Sequence, residues 1–415
     1  MTATLLNEII NTYLKSRDFN GLLFRDASDE AKEHVIRLVK SGKVQVVSEE
    51  DYPNPHIGRG PLDGQSTNSS NRYEMSTAHG RAICLYPTSE ALARRRLARK
   101  FSGKPYSTAM ARGRGTLEPA YLTLDVLEQY RNDPRFEFNF SDFGVRTATS
   151  EEVYLDEDEP EYDSIVMSHI GFAYDMGGYR KGDPESPIHR RVCAFHGDLA
   201  KLSDVHQQRW KTYEVPDSSS LRPHPVWWGS QMGHWPDGLG PFQRMFFELE
   251  ALNDLNRLIC GVPLFRTSER PAGFGWILRP SEREWDAFIH ELDKLLSDNL
   301  SAKALDALGA PKVNSGGQNL GTIGRLEELL KNLKVSPDNA HEVIEPLREV
   351  RRARQKPAHA IRTNLTDKTF THKQVALLHE VVSSLIALRT FWATHPSARA
   401  WQEPNYVREG AVYLT

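Results

Sequence analysis

Residues 347–361 have the sequence LREVRRARQKPAHAI and lie within a region of strong helical periodicity. Four segments between residues 281 and 400 carry apolar residues three or four positions apart, which predicts amphipathic helices. Their apolar positions are, in order, Trp285, Phe288, Ile289, Leu292, Leu295 and Leu296; Ile323, Leu326, Leu329, Leu330 and Leu333; Val343, Ile344, Leu347 and Val350; and Val375, Leu378, Val382, Leu385 and Ile386. A capping box, Ser281-x-x-Glu284, precedes the first helix. The short connections predict a four-helix bundle over residues 281–400.

The third predicted helix ends in a cluster of positive charge. Five basic residues less one acid, Glu349, give this cluster a net charge of +4. The basic residues are Arg348, Arg351, Arg352, Arg354 and Lys356. Because the arginine fork matches phosphate oxygens, the cluster predicts contacts with a phosphate-bearing anion. The alternative is a solvated helix face paired with acids on a neighbouring helix.

Arg354 and His359 are separated by four residues, one of which is Pro357. On an ideal helix a five-residue step rotates a side chain by about 140°, so Arg354 and His359 would lie on different faces. A proline lacks the N–H donor and bends or ends a helix. The sequence therefore predicts a bend near Pro357 that brings the guanidinium and the imidazole to one site. The alternative for His359 is a helix-end histidine that caps carbonyl groups.

An Arg-x4-His motif on the third helix of a four-helix unit resembles the HEPN family of helical domains. The motif here is Arg354-Gln355-Lys356-Pro357-Ala358-His359, and the resemblance covers residues 281–400. Nuclease-active members often have Asn, Asp or His directly after the arginine, where this chain has Gln355. The resemblance implies that Arg354 and His359 are catalytic, and that the RNA-binding residues are Arg351, Arg352, Gln355 and Lys356.

The resemblance implies a metal-independent endoribonuclease without a cofactor. The RNA 2′-hydroxyl would be the nucleophile, a histidine would move the proton, and a guanidinium would stabilise the phosphorane-like transition state. HEPN nucleases juxtapose two motifs, so a homodimer through the C-terminal bundle is expected. A toxin-like role in phage defence or abortive infection follows, with the N-terminal region sensing a phage-derived or partner-protein trigger. The alternative is a non-catalytic dimerisation module that binds nucleic acid or a nucleotide.

The remaining sequence predicts an α+β region ahead of the bundle, so the expected fold class is α+β. Residues 1–145 are α-rich and compatible with a winged-helix-like module, residues 146–275 are β-rich or α+β, and residues 401–415 form a tail. Predicted helices cover 29–40, 88–100, 117–130 and 242–259, and predicted strands cover 43–48, 135–140, 164–174 and 191–195.

A second alternative comes from the histidines of the middle region. Six of the fifteen histidines lie within 66 residues: His169, His189, His196, His206, His224 and His234. With Asp198 they supply residue types that bind zinc or manganese, which suggests a metal-dependent hydrolase. Because the chain lacks HExxH and paired CxxC motifs, scattered loop histidines are the simpler interpretation.

The composition excludes several classes of protein. A chain of 415 residues that is 39% hydrophobic has enough apolar material for a core, which excludes wholesale disorder. A net charge of −3 excludes a globally basic, histone-like protein. Three cysteines are too few for a disulfide framework, so a reducing, cytoplasmic compartment is expected. No stretch approaches the roughly 20 uninterrupted apolar residues of a membrane helix, so no membrane partner is expected. The sequence contains neither a GxxxxGK[ST] nor a GxSxG motif, which argues against a P-loop ATPase and an α/β-hydrolase.

Overall fold

The computed structural model of the protein describes most of the chain. The described residues are 2–15, 20–24, 28–48, 83–94, 97–150, 165–177, 189–234, 238–355, 363–405 and 411–412. By the density of internal contacts the chain divides into two compact units. The N-terminal unit comprises Met1–Glu137, Thr147–Ala173 and Arg191–Leu221, and the C-terminal unit comprises Phe138–Arg146, Tyr174–Arg190 and Arg222–Thr415. The three consecutive domains expected from the sequence stay a prediction.

The described elements mix helices and strands, with a strand-rich middle, before a mainly helical C-terminal part, which confirms the α+β class. The helices are α1 (Thr2–Lys15), α2 (Asp29–Lys40), α3 (Ser89–Arg94), α4 (Pro105–Ala111), α5 (Glu128–Asn132), α6 (His196–Leu199), α7 (Asp204–Thr212), α8 (Pro225–Gln231), α9 (Pro241–Cys260), α10 (Glu282–Asp293), α11 (Ala302–Ala307), α12 (Thr322–Asn332), α13 (Pro337–Gln355) and α14 (Thr369–Ala393). The strands are β1 (Leu22–Phe24), β2 (Val44–Ser48), β3 (Ile83–Pro87), β4 (Pro119–Leu122), β5 (Phe136–Phe140), β6 (Gly144–Thr149), β7 (Val166–Asp175), β8 (Arg190–Phe195), β9 (Leu221–Pro223), β10 (Gly238–Leu239) and β11 (Ala411–Val412).

The first sheet has the strand order β1-β3-β2, with both pairs antiparallel. Every residue of β2 and β3 is buried, so both faces of these antiparallel strands are covered. Helix α1 packs on β3 and α2 on β2, and Ile9, Tyr13 and Val35 belong to the core that they share with these strands. Ser28 caps α2, because its Oγ accepts a hydrogen bond of 3.3 Å from the Ala31 N–H.

The second sheet has the order β4-β8-β7-β6-β5, and β9 pairs with β7. The helix predicted over residues 117–130 is wrong, because this segment forms β4, a 3₁₀ turn and α5. Strand β4 pairs antiparallel with β8, with Leu122 opposite Val192. Along β4 buried and partly exposed residues alternate, and Ala120 and Leu122 are the buried ones. Pairing with a distant strand therefore outweighs the helical spacing of the apolar residues in this segment.

The four predicted C-terminal helices form as α10, α12, α13 and α14, and a short helix, α11, lies between the first two. One half of the predicted capping box is confirmed, because the Glu284 N–H donates to Ser281 Oγ at 3.4 Å. The Glu284 carboxylate accepts from the Leu278 N–H at 3.0 Å, and the Ser281 N–H donates to the Arg279 carbonyl. Helix α14 packs against α13 and also against α9. Buried polar contacts join α9 to α14: Arg389 Nε donates to Glu248 Oε2 at 2.6 Å, and Trp392 Nε1 donates to Asn256 Oδ1 at 3.0 Å.

Among the described helices, α14 alone is long and apolar enough to cross a membrane, with a window of mean hydropathy 1.4. Half of that window is buried inside the protein. Core helices of soluble proteins pass the same test of length and composition, so this property is weak evidence for a membrane span.

Candidate anion-binding site on helix α13

The predicted site residues Arg351, Arg352, Arg354 and Gln355 lie in the last turns of α13. The other two, Lys356 and His359, lie outside the described residues, as does Pro357. The bend near Pro357 and the approach of His359 to Arg354 therefore stay predictions.

Asp293, the last residue of α10, organises the end of α13. Its carboxylate is fully buried, and its Oδ2 accepts a hydrogen bond from Arg351 Nη1 at 2.7 Å and another from Arg354 Nη1. Ser297 Oγ lies 2.5 Å from the other carboxylate oxygen, Oδ1. One buried carboxylate thus fixes two guanidinium groups side by side.

A π-helical turn, Lys294–Asp298, follows α10 and carries two further polar contacts. Thr322, at the start of α12, donates its hydroxyl to the Ser297 carbonyl at 2.7 Å. Asp298 lies 3.8 Å from Arg351 Nη1 and 3.6 Å from Arg354 Nη1. These two separations exceed that of a direct charged hydrogen bond, so Asp298 holds the arginines less firmly than Asp293 does.

Carboxylates keep the arginines of α13 charged and oriented. The hydrogen bond with Asp293 raises the pKa of the Arg354 guanidinium above its ordinary value. The hydrogen bond between Arg352 and Glu345 raises the pKa of Arg352 and lowers that of Glu345. Arg348 pairs with Glu327 of α12. Because each of these guanidinium groups is also partly exposed, each remains accessible to an anion from solution.

A cavity of about 930 Å³ opens beside this cluster, and we call it the α12–α13 cavity. It is lined by Arg266, Ser297, Asp298, Gly321, Thr322, Ile323, Gly324, Arg348, Arg351 and Arg352. Four arginines and one carboxylate therefore face it, together with the first residues of α12. Such a lining suits an anion with several oxygen atoms.

Three residues of the site, Asp293, Ser297 and Arg266, were not predicted from the sequence. One signal for Asp293 was available: it follows Leu292 and lies four residues after Ile289, beside the apolar stripe of its helix. A carboxylate on a buried stripe is uncommon unless it is paired. The identity of its partners, 58 and 61 residues later in the sequence, depends on how α10 and α13 pack.

The six middle histidines are described, and several have structural hydrogen bonds. His206 Nδ1 lies 2.8 Å from the Tyr130 hydroxyl, and His196 Nδ1 lies 2.8 Å from the Glu118 carbonyl. Burial lowers the pKa of His196. His224 Nδ1 accepts from the Val226 N–H at 3.2 Å. Within the described ranges, no group of three or more His, Cys, Asp or Glu residues is placed to hold a metal ion.

No protein-family model, curated protein or solved structure matches this chain.

Proposed function

We propose that the C-terminal unit binds RNA at the end of α13 and cleaves it without a bound metal, as an endoribonuclease of HEPN type. One observation carries the proposal: the buried Asp293 carboxylate fixes the guanidinium groups of Arg351 and Arg354 side by side. Two fixed positive charges on one helix end match the charge and the oxygen geometry of an RNA phosphate.

Arg354 is the group that stabilises the transition state in this proposal. Its contact with Asp293 occupies one nitrogen, Nη1, while a guanidinium has five N–H donors. The side chain is 30% exposed, so donors remain accessible to a phosphate. A charge that is oriented before the substrate binds needs no rearrangement when negative charge develops on the phosphoryl oxygens.

His359 is the proton-transfer residue. As base, its imidazole takes the proton of the RNA 2′-hydroxyl while the 2′-oxygen forms a bond to phosphorus. The bond from phosphorus to the 5′-oxygen breaks, and this leaving oxygen takes up a proton from an acid. The products are a 2′,3′-cyclic phosphate and a 5′-hydroxyl, with no change of oxidation state.

A homodimer completes the site in this proposal, because one imidazole does not act as base and acid in the same step. With two copies related by a two-fold axis, His359 of one copy serves as base and the second copy supplies the acid. The wider role, a toxin-like effector in cytoplasmic phage defence whose N-terminal unit responds to a trigger, rests on the HEPN resemblance alone.

The deciding experiment is incubation of the purified full chain with RNA in EDTA, with analysis of fragment ends. We expect fragments that end in a 2′,3′-cyclic phosphate, and a loss of about 100-fold or more in rate for His359→Ala. His341→Ala is the matched control, because His341 is an exposed histidine of α13 and is not one of the proposed site residues. Undiminished cleavage by the His359 variant would remove the nuclease proposal.

A second candidate is a module that binds RNA or a nucleotide without cutting it. Two observations favour it: Arg354 already pairs with Asp293 and lies near Asp298, and the residue after it is Gln355. Under the same conditions this candidate predicts salt-sensitive RNA binding with no fragments from the wild-type protein.

A further inference from the structure

We infer that the α12–α13 cavity binds a phosphate monoester or pyrophosphate group, as found in nucleotides and at the 5′-phosphate end of RNA. The inference rests on the proposed function only where it takes RNA as the source of that group. Binding of the group itself depends on the cavity alone and requires no cleavage.

Arg266 is the first reason for the inference. Its backbone is anchored, because its N–H donates to the Asn299 carbonyl at 2.9 Å. Its side chain is exposed and lines the cavity, and within the described part of the chain its guanidinium has no hydrogen-bond or ion-pair partner. Four arginines against one carboxylate, Asp298, give the cavity a net positive charge, which attracts an anion.

The three cavity arginines of α13 are positioned in advance. Arg348 is held by Glu327, Arg351 by Asp293 and Arg352 by Glu345. These partner carboxylates are not among the residues that line the cavity. The guanidinium groups therefore keep their orientation without a ligand, which lowers the entropic cost of binding one.

The start of α12 adds neutral donors to the same cavity. The residue that precedes the helix is Gly321, in extended conformation, and no side chain among the described residues caps the helix. The N–H groups of the first turn lack carbonyl acceptors within the helix, and the helix dipole places partial positive charge there. In this protein the first residues of α12 and the arginines of α13 line the same cavity, so one anion can contact both.

The number of donors favours a monoester over a diester. A phosphodiester carries one negative charge, whereas a monoester carries about −1.5 to −2 at pH 7 with three strongly accepting oxygens. Four arginines and a helix terminus exceed what one diester oxygen pair requires. The volume, about 930 Å³, is in the range of cavities that hold ligands of nucleotide size.

Asp298 acts against the ligand in this arrangement. It is the one carboxylate that lines the cavity, and its side chain is 55% exposed at 3.8 Å from Arg351 Nη1. A phosphate that approaches Arg351 is repelled by Asp298, or displaces it from the arginine. Neutralising Asp298 should therefore tighten binding, whereas neutralising Arg266 should weaken it.

Isothermal titration calorimetry of the full chain with inorganic pyrophosphate at low salt tests the inference by measuring the dissociation constant. We expect Arg266→Gln to weaken binding about tenfold and Asp298→Asn to tighten it about threefold. Arg283→Gln is the matched control, because Arg283 is also exposed and does not line the cavity. Absence of pyrophosphate binding by the wild-type protein, or equal affinity of the Arg266 variant, would overturn the inference.

Two further titrations identify the source of the phosphate group. The first uses AMP, and the second compares 5′-phosphorylated with 5′-hydroxyl RNA that is 2′-O-methylated throughout and therefore cannot be cut by its own 2′-oxygen. A 5′-phosphate advantage that Arg266→Gln abolishes assigns the cavity to RNA ends. Binding of AMP without that advantage assigns it to free nucleotides. Neither result depends on cleavage, so the nuclease proposal stands or fails separately.

Discussion

Helix α13 contributes to two cavities of opposite charge. Arg348, Arg351 and Arg352 line the α12–α13 cavity. Glu349 and Ala353 line a second cavity of about 580 Å³, which we call the acidic cavity. Its other lining residues are Glu282, Trp285, Asp286, Asp367, Phe370, Lys373, Ala376, Leu377 and Glu380. One short run of sequence thus forms one basic and one acidic surface, because residues three or four apart share a helix face.

The two cavities differ in how their charges are balanced. In the α12–α13 cavity the arginines of α13 are held by carboxylates of opposite sign. In the acidic cavity Glu380 faces another carboxylate, Glu349, and burial together with this neighbour raises the pKa of Glu380. The net charge of a sequence segment therefore does not describe the electrostatic potential on either side of its helix. Of the two cavities, only the α12–α13 cavity suits an anion.

The largest effect that tests this comparison is expected from Asp293→Ala. The change removes a buried carboxylate that pairs with Arg351 and Arg354. We expect the free energy of unfolding to fall by about 2 kcal/mol, below the range for a fully buried ion pair because both arginines can turn to water. Denaturant unfolding of the full chain measures this loss, and RNA binding should weaken because the two guanidinium groups are no longer held together.

Asp298→Ala is the matched control for stability. The Asp298 side chain is 55% exposed and lies 3.6 Å from Arg354 Nη1, so its removal should change the free energy of unfolding by less than about 0.5 kcal/mol. Equal losses in the two variants would show that Asp293 has no special role in holding the arginines.

Much of the fold around these cavities follows from local sequence patterns. The Ser281 cap and the four long C-terminal helices are explained by apolar spacing and capping chemistry, which act over a few residues. The arginine cluster was also apparent as a possible phosphate contact. Asp293 was not predicted, because its role in holding Arg351 and Arg354 depends on contacts with residues 58 and 61 positions away in the sequence. No local pattern encodes such contacts.

A medium effect is expected from Arg352→Gln on RNA binding. Arg352 lines the α12–α13 cavity and its side chain is 56% exposed. A contact between Arg352 and an RNA phosphate therefore adds electrostatic affinity, which weakens as the salt concentration rises. We expect about three- to fivefold weaker binding, and a slope of log K against log salt that is smaller in magnitude by about 0.7. Fluorescence anisotropy over a salt series measures both.

Glu349→Gln tests the opposite face in the same assay. Because Glu349 lines the acidic cavity, its neutralisation should tighten RNA binding by no more than about twofold, through long-range charge alone. A loss of affinity with this variant would mean that RNA uses the acidic face of α13, and the comparison of the two cavities would fail.

Outside these cavities, the wrong helix at residues 117–130 shows the limit of periodicity. Leu122, Val126 and Tyr130 have helical spacing and are all buried, yet Leu122 belongs to a strand that pairs with β8. Pairing in a sheet is decided by a distant partner, Val192, so a short apolar pattern leaves helix and strand undecided.

The smallest effect is expected from Glu380→Gln in the acidic cavity. Glu380 is mostly exposed but partly desolvated, and this desolvation, followed by the charge of Glu349, raises the pKa of Glu380 above its ordinary value of 4.5. The native state therefore binds this proton more tightly than the unfolded chain does. The ionised carboxylate therefore destabilises the fold at neutral pH, and the variant should be more stable by less than about 1 kcal/mol because the side chain is exposed. As the pH falls through the raised pKa and then below 4.5, Glu380 becomes protonated in both states and the advantage of the variant disappears. Unfolding curves of both proteins at pH 7 and pH 4 measure this difference, and an advantage independent of pH would show that charge repulsion is not its cause.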